Sequence, residues 1–489
     1  MRIKNRPLVL VKPRLLLLAL VLAGGGASAP AAEAARLNVL LIISDDLNCR
    51  LGCYGATEAK TPNIDRLAAR GVRFDRAYCN YPVCNVSRTS FLSGRYPEST
   101  GVFNNTTSPR SRLGDDFLFL PEYFRTRSYF TAGAGKIAHG GFARLLKWDY
   151  FSEPSRGLDA GDDEGAKKKK AGKKGKTAPA AQTGPGDAFE WKATTNADAD
   201  EPDGQTARRL LKFFSANPGQ PFFIAAGFHK PHVPHTAPQK YFDLHDPARM
   251  PIPPEPPEHV RQIPRVALGP GPKYLPDLSI EQRRAIIQRY YAATSFMDAQ
   301  VGVLINEMDR LNLWASTVVV FMSDHGWHLG EHGGLYAKMS VFDESARAPL
   351  IVVAPGAKAG AGSTALVEYV DLFPTLLELT GVPAPRGLQG ASFAPVLKNP
   401  TLPGKESIYT VVNRGPGKLA RGLYTREFRY FEWPDGSQQL YHAATDPHEY
   451  VNLAPDPRHA ASLAAMKQML AQRRASLGPV PSAAPREKP

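Results

Sequence analysis

Two pairs of residues able to do chemistry stand at the ends of apolar runs: Asp45-Asp46 after 37–43 (LNVLLII), and Asp324-His325 after 317–322 (TVVVFM). If both runs are strands of one sheet, their ends bring three carboxylates to one point. Three like charges so placed repel strongly and call for a cation. Hard oxygen donors suit Ca²⁺ or Mg²⁺. The same acids have a plainer use as N-caps of the helices that follow. A third element, 84–95 (CNVSRTSFLSGR), reads as a loop entering a short helix that stops at Gly94. A nucleophile at its start, Cys84, faces free N–H groups and the positive helix end, a ready anion site. Arg88 adds a bidentate donor for a tetrahedral oxyanion. Taken alone, such a cysteine is more often a small buried residue.

The elements that must position these groups follow from the hydrophobic pattern. Runs at 37–43, 128–134, 221–228, 317–322 and 349–354 lack alternation, so they read as strands buried on both faces. Several end in polar groups: Gly135-Lys136 with His139 close behind, and His229-Lys230-Pro231-His232. Helical patterns lie between the runs, at 63–70, 204–215, 371–380 and 280–311, the last long and expected to be broken. This alternation predicts an α/β fold. A large, mainly parallel or mixed sheet is flanked by helices, with sites at the carboxyl ends of its strands. From 407 on, short strands at 407–412, 419–425, 428–432 and 439–441 precede a helix at 460–477, predicting a smaller antiparallel-sheet plus helix subdomain.

The 489 residues carry a net charge of +14, which invites a nucleic-acid or acidic-surface reading. That charge is local. Arg2, Lys4, Arg6, Lys12 and Arg14 precede the apolar run 15–23 (LLLLALVLA) and a small-residue stretch, as in a secretory leader. Seven lysines crowd 167–176 with no acid among them. Outside these two blocks the chain is nearly balanced, so nucleic-acid binding loses its support. The expected organisation is a leader over 1–32 and a catalytic α/β domain over 33–395 with a disordered basic insertion at 155–200. A C-terminal α+β subdomain over 396–480 and a disordered tail over 481–489 complete it. The insertion has an alternative reading as a polybasic arm for an acidic polysaccharide or membrane. The Pro-rich 251–279 is expected to wrap the surface as a loop.

The string from Cys84 resembles the sulfatase signature, in which a cysteine followed by x-Pro-Ser-Arg, and later Thr/Ser-Gly-Arg, is converted to formylglycine. Asp45-Asp46, Gly135-Lys136…His139, His229-Lys230-Pro231-His232, Asp324-His325-Gly326-Trp327, Gly330-Glu331-His332-Gly333 and Lys338 follow that family's further blocks in order. Tyr441…Thr445-Asp446-Pro447…Glu449…Asn452-Leu453-Ala454 is similar to its closing motif. The resemblance, to the iduronate-2-sulfatase branch within the alkaline-phosphatase-like superfamily, covers roughly 37–455 apart from 155–200. Blocks in register over that length are far more specific than any one of them.

The resemblance implies one Ca²⁺ held by Asp45, Asp46, Asp324 and His325 with an oxygen on the modified Cys84. It casts Arg88 and Lys136 as polarising the sulfate and steadying the formylglycine hydroxyls, and His139 as orienting or deprotonating one of them. His229 and Lys338 become sulfate ligands, one assisting departure of the alcohol; His232 is either a substrate contact or structural. An aldehyde hydrate suits this chemistry, since one hydroxyl attacks sulfur and the other, deprotonated, expels sulfate. A thiol would leave a stable adduct. The implied partners are a sulfated carbohydrate and the formylglycine-generating enzyme, in the periplasm or outside the cell, with no nucleic acid and no stable membrane insertion once the leader is removed. The chain departs from the signature at Val86, where the family has Pro. Two other readings use the same residues: a phosphomonoester or phosphodiester hydrolase, and a catalytically silent glycan-binding protein.

Overall fold

The computed structural model describes residues 36–153, 189–216, 219–269, 274–415 and 417–477, all within the unit Arg36–Pro489. The expected leader, the lysine block and the tail lie outside the described residues. An eight-stranded sheet runs in the order Ala361–Ser363, Val72–Phe74, Leu350–Val353, Thr317–Ser323, Asn38–Asp45, Phe222–Pro231, Phe130–Gly135, Tyr150–Ser152. Only Leu350–Val353 runs antiparallel to its neighbours. The non-alternating runs are buried along their length because helices and a second apolar layer cover both faces. Register then decides the site. Ile43 pairs Met322 and Ser44 pairs Ser323, so Asp45 and Asp324 leave adjacent strands side by side. Gly135 pairs Gly227, which puts Lys136 beside the strand carrying His229.

The 280–311 helix differs from expectation. It runs unbroken over Ile280–Arg310, started by a Ser279/Gln282 capping box. Its Gly302 is no break: a Cβ there would lie 2.6 Å from the Asn63 side chain, so glycine lets the Pro62–Arg70 helix approach. The far end of the expected insertion also differs. Residues 191–194 form a strand, Trp191–Thr194, paired with His235–Pro238. Trp191 packs on Phe242 and carries Arg289 over its ring, at 4.4 Å to the centroid, which anchors a stretch that composition alone reads as loose.

Ile408–Asn413, Leu419–Tyr424, Phe428–Glu432 and Gln438–His442 form the antiparallel sheet in chain order, followed by the helix Ala460–Leu477. This sheet does not stand apart. Tyr409, Leu423 and Leu440 share one apolar cluster with Tyr81, Val83 and Val86, so it braces the start of the Cys84 helix. Among the described residues no helix is long and apolar enough to cross a membrane.

Candidate active site

The helix Cys84–Ser93 is buried at every residue and ends at Gly94, whose φ of 66° favours glycine. Cys84 is its first residue, so its side chain sits at the helix start, level with the carboxyl ends of the central strands. Val86 stands in the first turn, where backbone N–H groups have no intrahelical partner. Either Pro or Val can therefore stand there without losing a helical hydrogen bond.

Around the Cys84 sulfur the tertiary structure gathers groups far apart in sequence. Sγ lies 3.0 Å from Lys338 Nζ, 3.3 Å from Asp45 Oδ1 and 3.4 Å from His325 Nε2. Lys338 Nζ also donates to Asp46 Oδ1 at 2.9 Å, and its ammonium sits over the Trp327 ring. Lys136 Nζ pairs with Asp45 Oδ2 at 2.5 Å. His232 Nε2 is 3.7 Å from Asp46 Oδ2 and His325 Nδ1 is 3.5 Å from Asp46 Oδ1. Asp46 has φ 61°, a left-handed conformation costing a non-glycine residue roughly 1–3 kcal/mol. Its carbonyl accepts from the Tyr290 hydroxyl at 2.8 Å, and its N–H donates to Asp324 Oδ1 at 3.3 Å, which hold it there.

Arg88 takes a different place from the one its type suggests. Its guanidinium is fully buried. Nε donates to Asp324 Oδ2 at 2.9 Å, Nη1 to the Lys136 carbonyl, and Nη2 faces Asp45 Oδ1 at 3.8 Å. The fork expected to grip an anion is turned onto protein oxygens, because the buried carboxylates lie nearer than any solvent path. His229 and His139 lie on the same sheet edge. The His229 and Lys230 amides donate to the two Asp203 oxygens at 2.8 and 2.9 Å, which fixes the end of that strand. His139 lies three residues past Lys136 and is buried. The structure thus brings Asp45, Asp46, Cys84, Arg88, Lys136, Asp324, His325 and Lys338 into direct contact, with His229 on the neighbouring strand and His139 three residues past Lys136. Sequence reasoning missed Asp203 and left His232 undecided. Asp203 follows a Pro at a helix start and carries no signal beyond that of a helix-terminal acid. Among these groups the side chains of His232, His229 and Lys338 are the least covered, 15, 11 and 9% exposed, and they mark the mouth.

Charge follows the packing. Burial raises the Asp45 carboxyl, but Lys136, with His232, Arg88 and Lys338 behind it, overrides that and holds it well below the ordinary carboxylate range. Burial lifts Asp46 to about 6 against the pull of Lys338, with Asp45 and Asp324 adding repulsion. Burial, aided by Asp45, pushes the Cys84 thiol well above its usual value despite Lys338 and Lys136. An unmodified Cys84 is therefore a neutral thiol, not a thiolate nucleophile. Asp45, Cys84, Asp324 and His325 place one donor atom each within 4.8 Å of one another, and Asp46 Oδ2 is buried without a hydrogen bond. Three buried carboxylates with an unsatisfied oxygen fit a hard divalent cation.

A family profile described as Sulfatase matches residues 37–382, and a second, N-sulphoglucosamine sulphohydrolase C-terminal, matches 330–476. A Formosa agariphila protein named sulfatase is 32% identical over 461 residues, 90% of this chain and 87% of its own. Mouse iduronate 2-sulfatase is 35% identical over 397 residues, 71% of this chain and 69% of its own. A solved structure, BT4656 in complex with its substrate D-glucosamine-2-N,6-O-disulfate, superposes with a TM-score of 0.71 at 20% identity, covering 90% of this chain and 98% of that one; it shares the fold. The chain belongs to the sulfatase family. It is a sulfuric ester hydrolase.

Proposed function

We propose that this protein is an exported, calcium-dependent sulfatase of the iduronate-2-sulfatase type, hydrolysing sulfate esters of a sulfated carbohydrate through formylglycine made from Cys84. The carrying observation is the convergence on Cys84 of Lys338, Asp45 and His325, within 3.0–3.4 Å. Calcium would supply a Lewis acid for the sulfate oxygens, and the hydrated aldehyde two hydroxyls on one carbon, one to attack sulfur and one to release sulfate. Asp45, Asp46, Asp324 and His325 would hold the ion. Lys338 and Lys136 stabilise charge on the sulfate oxygens, as cations do in phosphoryl transfer. Arg88 acts one step back: its guanidinium fixes Asp324 and the Lys136 backbone. His139 orients or takes a proton from one hydroxyl at position 84. His229 and His232, at the mouth, meet the sulfate and the sugar, with His229 or Lys338 supplying the proton to the departing alcohol.

Maturation would require a formylglycine-generating enzyme acting on the unfolded chain despite Val86, and export would follow from the basic, apolar segment before residue 33. The test uses enzyme whose Cys84 peptide carries the aldehyde mass, assayed on defined N-, 2-O- and 6-O-sulfated sugars beside matched phosphate esters. Release of sulfate from a 2-O-sulfated uronate, lost on chelation and restored by Ca²⁺, is expected. Faster turnover of the phosphate esters, or full activity with an unmodified thiol, would overturn the reading.

A further inference from the structure

We propose that His328, His332 and Glu344 form a second metal site, apart from the Asp45–Asp324 cluster, that holds one zinc-type ion and locks the loop bearing Lys338. Their ligand atoms all lie within 4.8 Å of one another. His332 Nε2 is 3.1 Å from Glu344 Oε2, and His328 Nδ1 is 3.9 Å from that same oxygen. Both imidazoles are fully buried, and neither ring nitrogen of His328 has a hydrogen-bond partner.

A proton count explains why a cation belongs there. His259 Nδ1 lies 3.0 Å from the Tyr450 carbonyl, so it carries the N–H. A neutral His259 then presents a lone pair at Nε2, 2.9 Å from His332 Nδ1, which must donate. A neutral His332 is left with a bare Nε2 lone pair facing the lone pairs of Glu344. A proton on His332 would relieve that pair but leave His328 with no partner. One divalent ion takes up the Nε2 lone pair of His332 and one of the two unpartnered ring nitrogens of His328. Two imidazoles and a carboxylate are a zinc-type donor set. The Tyr450–His259–His332 chain is the kind of outer support that fixes a ligating imidazole. Glu331 Oε2, 4.0 Å from His328 Nδ1, or a water would complete four-coordination.

His328 and His332 precede Lys338 in the chain and Glu344 follows it, so an ion here ties the loop on both sides of the active-site lysine. Both imidazole ligands are fully buried, so the role is structural.

The full chain carrying Cys84→Ala, which removes the active-site thiol, is stripped with chelator, saturated with Ca²⁺, and titrated with Zn²⁺ or Co²⁺. One retained equivalent is expected, with X-ray absorption showing two imidazoles and no sulfur. His328→Ala should abolish retention, and His259→Phe should weaken it about 10–100-fold. No retained equivalent, sulfur ligation, or undiminished retention in His328→Ala would overturn the site. If His328→Ala does not fold, the absorption spectrum of the parent decides by itself.

Discussion

Replacing Lys338 by Met removes one ammonium while keeping much of the stem. That ammonium touches Asp46 Oδ1 at 2.9 Å and the Cys84 side chain at 3.0 Å, in a buried setting. At an effective dielectric near 20, a pair at that distance attracts by about 6 kcal/mol before desolvation is charged against it. Breaking a buried pair by deleting one partner typically costs about 3–5 kcal/mol, because the other charge stays buried. Metal-free Lys338→Met should therefore lose about that much stability, and Ca²⁺ should restore a large part by compensating Asp46. With the lysine competing no longer, the variant should bind Ca²⁺ more tightly than the parent. Turnover should behave otherwise: loss of one preorganised donor to a developing oxyanion costs about 10²–10³-fold in kcat. The assays are thermal unfolding with and without Ca²⁺, calcium titration, and sulfate release. If kcat/KM stays within about tenfold of the parent while Ca²⁺-loaded stability is equal, Lys338 has no part in stabilising the transition state.

Other outcomes follow from the same geometry. Cys84→Ala should fold and retain less than about a thousandth of parental turnover, since a residue acting as nucleophile has no substitute; sulfate release assays decide. Asp203→Ala frees the His229 and Lys230 amides, and kcat/KM should fall about 10–100-fold, the usual cost of losing a supporting contact. Asp203→Asn, which keeps one acceptor, should recover part of that loss. Gly227→Ala should fail to give folded enzyme, because its Cβ would lie 2.1 Å from the Lys136 carbonyl carbon, measurable as loss of the cooperative unfolding transition. Burial, with Lys230 and Arg289, holds His235 down to about 3 in the folded state. The unfolded chain takes that proton first, so stability is whole above about pH 6.5 and falls by up to about 1.4 kcal/mol per pH unit as pH drops toward 3. His235→Phe should flatten this slope in pH-dependent denaturation, and an unchanged slope would count against it.

Local pattern was enough for five of the eight strands of the central sheet, since uninterrupted apolar runs such as 317–322 have few other uses; Val72–Phe74, Tyr150–Ser152 and Ala361–Ser363 are too short to carry a pattern of their own. The C-terminal strands and last helix were equally legible, being bounded by turn residues. The 280–311 pattern reads as broken because of its length, whereas the structure has one continuous helix whose Gly302 serves the close approach of the Pro62–Arg70 helix. Residues 191–200 looked loose because nothing local reveals that Trp191 has Phe242 and Arg289 to pack on.

The site divides the same way. From the sequence alone came the residue types, their order along the chain and the family they spell, because each block is short and its chemistry is local. Only the tertiary structure decided who touches whom. Strand register set Asp45 beside Asp324, and the loop past Trp327 brought Lys338 onto Cys84. The same packing directs the Arg88 donors onto Asp324 and the Lys136 carbonyl, since a buried guanidinium must spend its donors on the nearest buried oxygens. It also gave Asp203 and the His328 cluster their places, which no spacing along the chain foretells. Contacts across hundreds of residues depend on how strands pair and loops close, and that information is spread over the whole chain.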